Sequence, residues 1–93
     1  MKLRFTLTAL RQIDTTLDYI ALQSPQGARR VNKRITTAIA LLREYPQAGQ
    51  ITSGKGIRRI VLTPFPYVIF YRAAGDEIII LRFRHTAQRP ESS

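Results

Sequence analysis

Hydrophobic and polar positions follow two different periods along this chain, and helical spacing gives way to strand spacing between residues 47 and 56. Near the start, Leu3 and Phe5 alternate with Lys2 and Arg4, which predicts a short strand over 2–6. Leu10, Ile13, Leu17, Ile20 and Ala21 then recur at helical spacing, leaving Arg11, Gln12, Asp14, Asp18 and Gln23 on the wet side. This predicts a first helix over 9–22 with Thr8 as its cap. Ser24-Pro25 ends that helix and starts another: the residue before a proline avoids helical geometry, while serine suits the N-cap and proline the first turn. Ala28, Val31, Ile35, Ala38, Ile39, Leu42 and Tyr45 form the second helix's apolar stripe, opposite Arg29, Arg30, Lys33, Arg34 and Arg43, and Pro46 stops it. So short a connection predicts an antiparallel helical hairpin.

Residues 47–56 carry three glycines and no sustained period, so a loop is expected there. Strand patterning follows over 57–62, 67–72 and 77–83, joined by Thr63-Pro64-Phe65-Pro66 and Ala73-Ala74-Gly75-Asp76 as a meander. In the last strand, strict alternation places Ile79, Leu81 and Phe83 on one face and Ile78, Ile80, Arg82 and Arg84 on the other; the wholly apolar set is expected to meet the helices. The predicted class is α+β: an N-terminal strand and an antiparallel helical hairpin packed on an antiparallel sheet, in the order β-α-α-β-β-β. With 93 residues there is material for one domain, 1–93, in which 84–93 reads as a basic C-terminal tail.

Composition adds a partner. Fifteen Lys and Arg against six Asp and Glu give a formal charge of +9, which calls for a polyanion without choosing between nucleic acid, a ribosome, an acidic protein or an anionic membrane surface. Twelve of those fifteen cations are arginine, favouring bidentate contacts to phosphate or carboxylate. The absence of cysteine excludes disulfides and thiolate metal sites, and the N-terminal apolar stretch is too short for a signal peptide, so a cytoplasmic protein without a membrane span is expected. One histidine and scattered carboxylates provide no metal-ligand spacing, and Gly54-Lys55-Gly56 precedes a strand where a phosphate loop would precede a helix. No metal and no cofactor is expected.

Candidate chemistry lies in a basic cluster of the C-terminal half: Lys55, Arg58, Arg59, Arg72, Arg82, Arg84, His85 and Arg89. Singly, such residues solubilise exposed strands. Together, Arg59 and Arg82 on different strands could converge on one anion. His85 has the only side chain here whose ordinary pKa lies near neutrality, as a general acid in RNA cleavage requires; a surface histidine in a basic tail is the plainer alternative. No base is evidently placed, since Glu44 closes a helix and Glu77 opens a strand. Tyr45, Tyr67, Tyr71, Phe65 and Phe70 are base-stacking candidates whose spacing reads mostly as core, and the cations Arg29, Arg30, Lys33 and Arg34 read as a solvated face or a docking stripe for an acidic partner.

The order of elements resembles the RelE/ParE toxins of type II toxin-antitoxin systems. Ser24-Pro25 with Ala28, Gly56-Ile57-Arg58-Arg59, Pro66-Tyr67-Val68-Ile69-Phe70-Tyr71-Arg72, and Ile78-Ile79-Ile80-Leu81-Arg82 followed by Arg84-His85 carry the resemblance over nearly the whole chain. RelE-like members are ribosome-dependent mRNA endonucleases that use basic residues on the sheet and a tyrosine or histidine near the C-terminus; ParE-like members poison DNA gyrase by binding. No tyrosine follows Tyr71, and His85-Thr86-Ala87-Gln88-Arg89-Pro90 is similar to the His-Gly-Ala-Arg ending of ParE-like chains, departing from it at Thr86 and Gln88. The resemblance therefore implies a gyrase inhibitor without catalytic residues, gripping its target through Arg58, Arg59, Arg82, Arg84, His85 and Arg89. An mRNA interferase using Arg59, Arg82 and His85, or a degenerate toxin that only binds antitoxin, are the alternatives. It further implies an acidic, ParD-like antitoxin that alone contacts operator DNA and docks on the helical hairpin at Leu10, Ile13, Leu17, Arg30 and Arg34.

Overall fold

In the computed structural model, which describes residues 1–87, Thr6 and not Thr8 caps the first helix. Its hydroxyl accepts the Ala9 amide proton at 3.0 Å, so α1 (Leu7–Gln23) starts two residues before the expected 9–22. Ser24 serves both helices: its amide donates to the Ile20 carbonyl at 2.7 Å, and its hydroxyl accepts from the Gly27 amide at 2.9 Å to open α2 (Pro25–Glu44). Along α2 the predicted stripe is buried at Val31, Ile35, Ala38, Ile39 and Leu42. Tyr45 is not part of it; as the residue capping the helix C-terminus it points out, 58% exposed.

The strands are β1 (Lys2–Phe5), β2 (Gln50–Ile51), β3 (Ile57–Val61), β4 (Tyr67–Ala74) and β5 (Glu77–His85), in the spatial order β1-β5-β4-β3-β2. The sheet is mixed where an antiparallel one was expected. β3, β4 and β5 form the predicted meander, but β1 runs parallel to β5, from Lys2 beside Glu77 to Phe5 beside Ile80. Parallel neighbours need a long crossover, which the helical hairpin and the strands after it supply. β2 lies inside the expected loop, pairing Gln50 with Arg59 and Ile51 with Arg58. Arg84 and His85, expected in the tail, are the last two residues of β5.

A register shift in β5 overturns the face assignment made from alternation. Phe70 pairs with Arg82 but Tyr71 with Ile80, so Leu81 has no partner on β4 and forms a bulge. On the N-terminal side of the bulge Ile78 and Ile80 turn to the helices, both fully buried; beyond it Phe83 does, at 2% exposure. Ile79 and Leu81 are only half-buried. The core thus joins Ala9 and Ile13 of α1, the α2 stripe, and Leu62, Ile69, Tyr71, Ile78, Ile80 and Phe83 of the sheet and its turn. Each such large aliphatic side chain contributes about 1.5–3 kcal/mol on burial. Among the described residues no helix is long and apolar enough to cross a membrane.

Candidate functional site

Among the described residues only one face of the sheet carries the helices, and the other is open. Cross-strand partners share a face, so Gln50, Arg59, Phe70 and Arg82 form one row across β2, β3, β4 and β5 on the open side. Arg84 stands beside Val68 in the next row, and Arg72 beside Ile57 and Ile79 in a row on the other side. The bulge creates this arrangement: with unbroken alternation from Ile78 and Ile80, residue 82 would point under the helices.

A cleft of 890 Å³ opens over this face. Thr6, Thr8 and Gln12 at the start of α1 line one wall; Thr52, Ser53 and Ile57 line the other. Phe70, Leu81, Arg82 and Arg84 contribute the rest of its lining. Arg59 Nε donates to Gln50 Oε1 at 3.2 Å, which fixes the guanidinium plane and leaves its terminal nitrogens for an anion. Among the described residues nothing pairs with the Arg82 side chain, which is exposed. The Glu77 carboxylate, on the same strand, lies 3.5 Å from Arg4. Cations, hydroxyls and one aromatic ring make a surface suited to phosphate or carboxylate, and among the described residues the cleft lining has no Asp, Glu, His or Tyr. No group of three His, Asp or Glu among the described residues could hold a metal ion.

Three of the expected target-binding residues, Arg59, Arg82 and Arg84, are therefore brought to one face. Arg58 is not with them. It lies on the helix side across from Tyr71, and its Nη1 donates to the Gly49 carbonyl at 2.9 Å, tying down the loop after α2. His85 also lies on the helix side. It pairs with Tyr67 and meets that ring edge-on at 5.5 Å between centroids, Tyr67 in turn stacking on buried Phe83 at 5.2 Å. Its Nδ1 accepts the Ala87 amide proton at 3.0 Å. The trio Arg59, Arg82 and His85 thus does not converge. Arg89 lies outside the described residues.

On the hairpin, Leu10 is 43% exposed, whereas Ile13 is in the core and Leu17 packs half-buried against it. Arg30 is exposed; Arg34 Nε donates to the Thr63 carbonyl at 2.9 Å, holding the turn between β3 and β4. Alternation alone missed Thr6, Gln12 and Phe70 as cleft residues. Phe70 was legible as a stacking candidate but not its place between two arginines, and Gln12 looked like any polar residue of a wet helix face.

Over residues 3–90 the sequence matches the family described as the ParE toxin of type II toxin-antitoxin system, parDE. It is 41% identical over 88 residues to the putative toxin Y4kP of Sinorhizobium fredii, an alignment spanning 95% of this chain and 91% of that one. Toxin RelE2 of Caulobacter vibrioides is 38% identical over 84 residues, 90% of this chain and 93% of its own. Among solved structures, a chain from the chromosomal ParDE TA system of P. aeruginosa superposes with a TM-score of 0.79 at 28% identity, covering 91% of this chain and 95% of that one.

Proposed function

Because the chain belongs to the ParE toxin family, within the RelE/ParE superfamily of type II toxin-antitoxin systems, we propose that it inhibits DNA gyrase by binding and is neutralised by a cognate acidic antitoxin. The observation that carries the reading is the make-up of the cleft: Arg82, Arg84 and the neighbouring Arg59 can grip an anionic surface, while among the described residues its lining provides no carboxylate or imidazole to abstract the 2′-hydroxyl proton of RNA near neutral pH. The placement of His85 on the opposite side of the sheet from Arg82 speaks in the same direction. With a charge of +9, attraction accelerates encounter with an acidic antitoxin, for which Leu10 and Arg30 on the hairpin are the accessible members of the expected set.

The likeness to a protein called toxin RelE2 favours a second reading, ribosome-dependent mRNA cleavage. One comparison separates the two. Purified toxin is added to gyrase in a supercoiling assay and, in parallel, to translating ribosomes whose mRNA is followed by primer extension. The gyrase reading expects supercoiling to be blocked or cleaved DNA to be trapped, with the effect lost in Arg59→Glu/Arg82→Glu and kept in His85→Ala. Unimpaired gyrase at saturating toxin, together with mRNA cleavage abolished by His85→Ala, overturns it.

A further inference from the structure

We propose that Thr6 and Gln12 of the α1 N-terminus are positioning residues for Arg82: they hold the β5 bulge that turns this arginine onto the open face. The inference rests on the reading of that face as target-binding.

Pairing between β1 and β5 stops at Phe5 and Ile80, where the chain turns into α1. From there on the edge of β5 is met by side chains of α1. The Thr6 hydroxyl accepts from Ala9 and donates to the Leu81 carbonyl at 2.9 Å; Gln12 Oε1 accepts the Phe83 amide proton at 2.8 Å. The two residues flanking Arg82 are thus each fastened to one helix, and that helix is anchored in the core through Ala9 and Ile13.

The alternative register shows why this matters. Without the bulge, alternation from Ile78 and Ile80 carries residue 82 to the helix side, where an arginine would be buried without a partner, and residue 83 to the open face. In the bulged form the Leu81 carbonyl accepts from the Thr6 hydroxyl and the Phe83 N–H donates to Gln12 Oε1. Two neutral side chains thereby select the register in which Arg82 stands opposite Phe70 and in row with Arg59. Thr6 and Gln12 also line the cleft beside Arg82 and Arg84, so the clasp and the anion-binding surface are one construction.

The test compares wild type, Gln12→Leu, Gln12→Glu and Arg82→Ala as full chains. Four quantities are measured: exchange of the Phe83 amide by NMR, the cross-strand NOE between Phe70 and Arg82, growth arrest on induction without antitoxin, and antitoxin affinity. Gln12→Leu is expected to speed Phe83 exchange about tenfold by removing its acceptor, to weaken the Phe70–Arg82 NOE, and to lose growth arrest as Arg82→Ala does. Antitoxin affinity stays within about twofold, as for a change away from the interface. Gln12→Glu retains an acceptor oxygen and restores slow Phe83 exchange and the Phe70–Arg82 NOE, while its carboxylate, entering the cleft beside Arg82 and Arg84, leaves growth arrest reduced. Gln12→Met, of similar length without that oxygen, replaces Gln12→Leu where the latter does not fold. Growth arrest by the Leu or Met variant at wild-type level, with Arg82→Ala harmless to cells, overturns the positioning role alone. Growth arrest by Arg82→Ala at wild-type level overturns the target-face reading, and this inference falls with it.

Discussion

The Gly49 amide donates to the Tyr71 hydroxyl at 2.8 Å, and that hydroxyl donates onward to the Pro46 carbonyl at 2.7 Å. A fully buried side chain of the central sheet thereby holds the loop that leaves α2 and leads into β2. Tyr71→Phe keeps the ring but leaves the buried Gly49 amide without this acceptor. The expected loss is about 1–3 kcal/mol, the cost of a buried donor left unsatisfied. Urea unfolding should show a lower midpoint at an unchanged slope.

Stability at alkaline pH follows from the same hydroxyl. Burial raises the Tyr71 pKa above its ordinary value of 10.0, opposed by the Gly49 amide and the nearby Arg58 charge. A folded value above the unfolded one means the neutral phenol is favoured in the fold, so its contribution is complete below about pH 10 and is lost as pH rises through the folded value. Thermal melts from pH 8 to 12 should therefore fall more steeply for wild type than for Tyr71→Phe. Parallel curves would show that Tyr71 is not the group responsible.

Gly49 is fixed by space. A Cβ there would stand 2.6 Å from Tyr71 Cε1 and its hydroxyl oxygen and 2.7 Å from the Arg59 carbonyl, so both a core ring and a strand backbone would have to move. Gly49→Ala is expected to cost about 1–3 kcal/mol. By pushing on β3 it also disturbs the Gln50–Arg59 contact on the open face. Calorimetry gives the first effect; a weakened Arg59 side-chain NOE to Gln50 reports the second.

Short-range signals in the sequence predict much of this fold, and long-range pairing explains what they miss. Ser24-Pro25, the α2 stripe and the β3–β4–β5 meander follow from local propensity and period, which act within a few residues. The place of β1 beside β5 depends on chain segments about 75 residues apart and on a hairpin crossing between them, so no local pattern encodes it. Ile79 and Leu81 were expected in the core because alternation assumes an unbroken ladder, and the bulge at Leu81 is fixed by Thr6 and Gln12 from another element. The same bulge decides the candidate site. Composition identifies the arginines, but only the register separates Arg59, Arg82 and Arg84 from Arg58 and His85.

The antitoxin surface can be tested by contrasting residues that the helical pattern treats alike. Ile13 is 8% exposed and Leu10 43%, though they lie three apart on the same helix. Ile13→Ala empties part of the core and should cost about 2–5 kcal/mol, with any loss of antitoxin binding secondary to unfolding. Leu10→Ala should leave stability within about 0.5 kcal/mol and, on the proposed docking surface, reduce antitoxin affinity by about tenfold or more, as for an apolar anchor. Arg30 and Arg34 separate in the same way. Arg30 is exposed, so Arg30→Glu should mainly slow association with an acidic partner. Arg34→Glu also gives up the bond to the Thr63 carbonyl and should lower the melting temperature. Titration calorimetry beside thermal melts distinguishes the two classes, and unchanged antitoxin affinity in both Leu10→Ala and Arg30→Glu would move the docking surface off this side of the hairpin.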